Sequence, residues 1–478
     1  MKFASSIAFV VASSLALAMA QSKPRYLNEK SAKFAVNGTG IPNVPFDIGE
    51  SYAGHLPVSS NLNETDFVYF WFLPSQDTDV NDEIAIWMDG LGCTPQADAI
   101  SQNGPFLWKD GTPRPAKNLY TWHNLTNVVY VDAPHKAASL SEPTDQVAAE
   151  FKGSWKNFVD TFQLKGYQVF MHGELDGGQY IPYIAESFLD DENKDYFDLK
   201  GMTLNNPNIG SLLLQEEYPM VPFFNTWSRL LGTDDDTMKI INDLYNKGPQ
   251  PAYTEKYFRF PPPQVPFPEP PLYREYFSYT SQSLHNANPC FTGENIADRC
   301  PYLESHLGNH DELDIYNPAN KNWYLRPDVS AALHYKPSYE FGCNFHLTQI
   351  YTDPAGDGTL GRVIDKTHNV IIGAGALAYN RFANGTLFQL QNVTWGGEQG
   401  FHNYPVKPIS IPDHWNENTE ARGAKGFVGR YVQERGLTFF IANAGGMHLY
   451  GNAPTLGYRM IQQSLGHISN FSSTAPLF

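Results

Sequence analysis

The chain has 478 residues, 42% of them hydrophobic and 14% aromatic, which is enough for a large buried core and one or two domains. Its formal net charge is -17 and its isoelectric point is near 5.2. That balance argues against nucleic-acid and anionic-membrane binding, both of which need a basic face.

In chain order, Met1-Lys2 and the mostly apolar run over 7–20 read as a secretory signal, with Ala18-Met19-Ala20 as the cleavage site and Gln21 as the mature start. The run is too short and too rich in Ala and Ser for a membrane anchor, and no other stretch is long enough to span a bilayer. Export fits two further features. Sequons for N-glycosylation stand at Asn37, Asn63, Asn124, Asn384, Asn392 and Asn470. The four cysteines are an even count without a C-x-x-C pair, so disulfides are expected rather than a metal site. Four cysteines allow three pairings. The short spacing favours Cys290–Cys300, which leaves Cys93–Cys343 as a long-range staple.

Residues 21–65 are polar and turn-rich, and they hold Gly49-Glu50-Ser51-Tyr52-Ala53-Gly54, the letters of a serine nucleophile turn. No buried strand leads into this segment and no apolar-faced helix follows it, so it reads as an extended entry into the first strand. Strands are expected over 67–74, 83–88 and 127–131. Val147, Ala148, Phe151, Trp155, Phe158, Val159 and Phe162 mark one helix face, stopped by Gly166. The apolar run Val169 to Met171 is a further strand. It breaks into Gly173-Glu174-Leu175-Asp176-Gly177, after which Ile181, Ile184, Ala185, Phe188 and Leu189 recur at helical spacing. Alternation of this kind predicts an α/β fold with a mostly parallel sheet covered on both faces.

From about Asn206 the pattern loosens, and 206–340 reads as an inserted cap. It includes a proline cluster over 258–271 that is extended and not sheet interior. Acidic runs at Asp234-Asp235-Asp236 and over 310–314 lack cation-loop spacing and read as solvated surface. The sheet is expected to resume over 369–373. A hairpin-like segment at 386–401, a last strand at 437–441 and a closing helix from about 454 to 465 complete the chain.

Strand, glycine turn and helix around Leu175 resemble the nucleophile elbow of the α/β-hydrolases, whose central residue is normally a serine. Further ordered motifs widen the likeness. They are Ser51-Tyr-Ala-Gly-His-Leu-Pro-Val58, Asn103-Gly-Pro-Phe106, Thr126-Asn-Val-Val-Tyr-Val-Asp132, Tyr180-Ile-Pro-Tyr-Ile-Ala185, Asn288-Pro-Cys-Phe291, Ala383-Asn-Gly-Thr386 and Gln391-Asn-Val-Thr-Trp395. Together they resemble the fungal secreted serine carboxypeptidases over nearly the whole mature chain. That resemblance implies an α/β-hydrolase core over 21–205 and 341–478, a cap over 206–340, and the cysteine pairing given above.

The family is described as removing C-terminal residues from peptides with a Ser–His–Asp triad. Carried over residue by residue, the resemblance puts the nucleophile position at Leu175, the acid at Ala378 and the base at Gly446, with His448 two residues on. The oxyanion loop falls on Gly90, Leu91 and Gly92, one residue shorter than the family pattern. The positions that grip a substrate carboxylate are Asp89, Gln102 and Glu174. The resemblance therefore implies a carboxypeptidase-like glycoprotein without its triad, acting by binding a peptide, a partner protein or a surface glycan. The alternative is a hydrolase or acyltransferase working through displaced groups: Asp176 or Ser51 as nucleophile, with His448, His172 or His135 as base. Neither reading calls for a cofactor or a metal ion, since no H-E-x-x-H or similar pair is present. The medium, the cell wall and the vacuole all remain open as destinations, as does the oligomeric state.

Overall fold

The computed structural model describes residues 24–61, 64, 66–79, 82–88, 99–132, 144–271, 276–301, 303, 323, 326–335, 352–379, 381–414 and 425–478. Ten strands form one sheet: β1 Tyr52–Pro57, β2 Phe67–Leu73, β3 Glu83–Met88, β4 Asn127–Val131, β5 Gln168–Glu174, β6 Asp198–Asn205, β7 Val370–Gly375, β8 Lys407–Ile411, β9 Gly426–Glu434 and β10 Leu437–Ala442. Their spatial order is β1-β2-β4-β3-β5-β6-β7-β10-β9-β8. The six strands from β4 to β10 in that order are parallel, and an antiparallel pair closes each edge.

Burial on both faces explains why the central strands read as continuous apolar runs rather than alternating ones. Ile84, Ile86 and Met88 of β3 pack on one face, while Ala85 and Trp87 pack on the other. On the first face lie α1 Thr144–Phe162 and α2 Ile181–Leu189. Phe158 and Phe162, one helical turn apart on α1, meet edge-on the rings of Phe70 and Phe72 at 5.1 to 5.6 Å. Each fully buried phenylalanine contributes about 2–3 kcal/mol through the water it sheds.

Between β6 and β7 the chain leaves the sheet for α3 Tyr218–Leu231, α4 Asp235–Lys247, α5 Gln250–Tyr257, α6 Tyr276–Ala287, α7 Pro327–Ala332 and α8 Thr359–Thr367. Asp234 begins α4 as its N-cap, its carboxylate taking Thr237 N at 2.8 Å, which is a use for the acidic run that needs no cation. The proline-rich stretch crosses the surface without regular structure. The Gln264 side chain fastens it by pairing with both the N–H and the C=O of Gln399, at 2.8 and 3.0 Å. The bond between Cys290 and Cys300 is formed, whereas Cys93 and Cys343 lie outside the described residues.

Two expectations are corrected. The segment expected as a hairpin over 386–401 starts as a helix, α9 Ala383–Leu390, and only Thr394–Trp395 and Glu398–Gln399 pair as strands. Gly385 lies inside α9, where any β-carbon would strike the backbone of Gln215. Three strands were not anticipated: β6, and β8 and β9, which carry the sheet on beyond the expected last strand. In β8 only Ile409 and Ile411 are buried, too sparse a pattern to stand out. The chain ends in α10 Leu449–Asn452 and α11 Pro454–Ser464. No helix among the described residues is long and apolar enough to cross a membrane.

Candidate functional site

The site sits where β5 stops. Glu174 is extended, and the next residue, Leu175, turns to a φ of +48° at the start of a single 3-10 turn, Leu175–Gln179, that leads into α2. A left-handed backbone costs a side-chain-bearing residue roughly 1–2 kcal/mol. The glycines that resemble an elbow are required by space. A β-carbon on Gly173 would lie 2.6 Å from Met88 O and inside the Ile181 side chain, and one on Gly178 would lie 2.6 Å from Asn208 O. A strained turn at this point is how a strand-to-helix elbow lifts its central side chain. Here that side chain is the half-buried isobutyl group of Leu175.

Beside it, Glu174 is fully buried. It accepts a hydrogen bond from Gln102 Nε2 at 2.7 Å and pairs with His448 Nδ1 at 2.9 Å. When Glu174 is ionised it can only accept, and Nδ1 of His448 is then the donor; when Glu174 is protonated the roles can reverse. The His448 side chain is 39% exposed, and its Nε2 lies 4.0 Å from Glu294 Oε1. Two of the three expected carboxylate-gripping positions, Gln102 and Glu174, are thus joined to each other. The third, Asp89, lies outside the described residues, as do Gly90, Leu91, Gly92 and His135.

The loop that carries Gly446 is clamped from several sides. Asn206, itself at a φ of +43°, donates from Nδ2 to Gly446 O at 3.0 Å and to Met447 O at 2.7 Å. Its Oδ1 takes Gly375 N at 2.9 Å. Gly446 N donates to Asn452 Oδ1 at 2.7 Å, and Met447 N to Glu294 O at 2.7 Å. A β-carbon at Gly446 would stand 2.5 Å from Glu294 O and 2.6 Å from Asn452 Oδ1. Ala378 is fully buried, and its neighbour Leu377 is bonded through N to Gly445 O at 2.9 Å, so the segments of Ala378 and Gly446 are adjacent.

The other candidates are placed differently. Asp176 faces Arg381 Nη2 at 3.7 Å, and the same guanidinium also pairs with Glu216. Ser51 is 2% exposed, directly before β1 at the edge of the sheet. Four strand spacings, about 19 Å, separate β1 from β5. His172 is fully buried in β5, its ring edge-on to Trp122 at 5.0 Å, and burial pushes its pKa down to about 3, so it is neutral. Tyr450, next to this group, is held by Asn205 Nδ2, and burial raises its hydroxyl well above the usual range. Sequence reasoning missed Asn206, Glu294, Arg381 and Asn452. Arg381 reaches Asp176, and Asn206 and Glu294 reach the Gly446 loop, from distant parts of the chain, while Asn452 bonds Gly446 from nearby; no local pattern marks any of them.

With this geometry in hand, comparison with known proteins is informative. A family model described as serine carboxypeptidase matches residues 42–467. The chain is 34% identical over 465 residues to a carboxypeptidase Y homolog of Arthroderma benhamiae, covering 94% of this chain and 90% of the relative. It is 32% identical over 473 residues to the serine-type carboxypeptidase F of Aspergillus niger, covering 92% and 88%. Among solved structures it is similar to a prohormone-processing carboxypeptidase from Saccharomyces cerevisiae, with a TM-score of 0.64 at 17% identity over 91% of this chain and 96% of that one. At that identity the likeness speaks to the fold, which is that of an α/β-hydrolase.

Proposed function

This chain belongs to the serine carboxypeptidase family, and on that premise we propose that it is an exported glycoprotein that keeps the family scaffold, has lost the triad chemistry and acts by binding. One observation carries the reading: the elbow position is occupied by Leu175, at a φ of +48°. Leucine has no lone pair with which to attack and no proton for a base to take. Ala378 and Gly446, at the positions the family gives to its acid and base, supply neither a carboxylate nor an imidazole. Residues that act as one catalytic unit lose their value together. The ligand is a peptide, a partner protein or a surface glycan, met in the medium, at the wall or in the vacuole.

The test is to incubate purified, folded protein with a fluorophosphonate probe and, separately, with a blocked dipeptide, from acidic to neutral pH. No labelling and no turnover are expected. Labelling abolished by Ser51→Ala, or turnover abolished by Asp176→Ala, would overturn the proposal and identify the nucleophile.

A second reading, hydrolysis or acyl transfer by displaced groups, is favoured by one contact. A carboxylate that holds Nδ1–H of a histidine leaves Nε2 as the basic atom, and an ionised Glu174, 2.9 Å from His448 Nδ1, would hold His448 in that way. Against it, Asp176 is paired with Arg381 and Ser51 lies at the sheet edge. Turnover that survives Ser51→Ala but disappears in both His448→Ala and Glu174→Gln would favour this second reading.

A further inference from the structure

Among the described residues the sequons are not equivalent once folded. Asn384 is exposed at the start of α9. Its Oδ1 accepts the Tyr404 hydroxyl at 3.0 Å, and Arg430 Nη2 approaches that phenol oxygen at 3.5 Å, which leaves the tyrosine proton for Asn384. With Oδ1 engaged by Tyr404, the amide nitrogen is the polar atom of this exposed side chain that the bond leaves over. Asn37 is exposed and arranged alike, its Oδ1 taking N and Oγ1 of its own sequon residue Thr39 at 3.2 and 2.9 Å. Asn124 is the reverse. It is half-buried, and its Nδ2 donates to Leu119 O at 3.1 Å. Tyr458, a residue 2% exposed, stands beside the same side chain. The amide nitrogen of Asn124 is therefore engaged by protein rather than by solvent.

We infer that Asn37 and Asn384 carry N-linked glycans and that Asn124, although a complete sequon, stays bare. This rests on the export reading above. In the transfer, Nδ2 bonds to the anomeric carbon of an oligosaccharide activated as a lipid-linked diphosphate. The carbon–oxygen bond to the diphosphate breaks, the diphosphate leaves, and the amide gives up one proton. At Asn384 and Asn37 the product fits the fold as it stands. A sugar on Asn124 would have to fit on a half-buried nitrogen between the Leu119 backbone, to which that nitrogen is bonded, and the buried Tyr458 ring.

The experiment is glycosite mapping of the full chain secreted from a fungal host, by enzymatic glycan release in heavy-oxygen water, which converts each occupied asparagine to a labelled aspartate. Label at Asn37 and Asn384 and none at Asn124 is expected. Label at Asn124, or a bare Asn384, overturns the assignment and leaves the export reading standing. A chain with no label anywhere that still begins at Met1 overturns the export reading and the assignment with it. As a second measurement, Asn384→Gln is expected to remove one glycan's worth of mass, and Asn124→Gln to leave the mass distribution unchanged while lowering Tm.

Discussion

Two hexapeptides of this chain, Gly-Glu-Ser-Tyr-Ala-Gly at 49–54 and Gly-Glu-Leu-Asp-Gly-Gly at 173–178, share their first two residues and their last, and they fold into unlike objects. The first, which has the serine, enters an edge strand. Its glutamate is spent on the N-terminal segment, taking Arg25 N and Tyr26 N at 2.9 Å each and the Tyr52 hydroxyl at 2.7 Å. The second, which has no serine, makes the strained turn between β5 and α2, and its glutamate is buried under Gln102 and His448. An elbow is thus made by what flanks it: a buried strand before, an apolar-faced helix after, and glycines with no room for a β-carbon. The letters between are a separate matter.

The largest effect is expected from pH, through His172 in the strand that feeds the elbow. Its folded pKa, about 3, lies below the ordinary value near 6.5. Between those values the unfolded chain binds the proton and the folded chain does not, so stability falls as pH falls through that window. The loss approaches on the order of 5 kcal/mol by pH 3. His172→Phe should flatten this acid limb in denaturant titrations taken from pH 7 to pH 3. An unchanged limb would mean that another group carries it.

Next in size, Gly173→Ala should cost about 3 kcal/mol, because the added carbon meets Met88 O at 2.6 Å. Gly49→Ala, whose added carbon meets nothing within 4 Å but whose φ is +84°, should cost only about 1 kcal/mol. Equal losses in chemical unfolding would erase the distinction between the two segments. Removing the imidazole with His448→Ala leaves buried Glu174 one donor short and should cost about 1–3 kcal/mol, read as a lowered Tm. Smallest is Leu175→Gly, which relieves the positive φ and should return about 1 kcal/mol after the loss of leucine contacts is set against it. A net destabilisation there would show that the isobutyl group matters more to the fold than the strain.

Much of this was legible in the sequence. The continuous apolar runs at β3, β4 and β5 marked buried parallel strands, and the spacing from Val147 to Phe162 marked α1. The weak elements were not legible. Ile409 and Ile411 alone could not announce β8, and nothing local says that Gln215 will press against Gly385. At the site, Leu175 and Glu174 were visible as parts of one motif. The contact from His448 to Glu174 was not, because it spans 274 positions and depends on the path of a loop. Asn206 shows the limit best: it ties the β7 end to the Gly446 loop, yet in the sequence it is one asparagine after another.

Gly446 has a consequence for substitution. The backbone oxygen of Glu294 and the side chain of Asn452 fill the volume that any β-carbon at 446 would need. A larger residue there collides unless the Glu294 segment withdraws, and that withdrawal breaks the Met447 N–Glu294 O bond that fixes the loop. A side chain at 446 is therefore admitted only together with a rearrangement of a segment far away in the sequence.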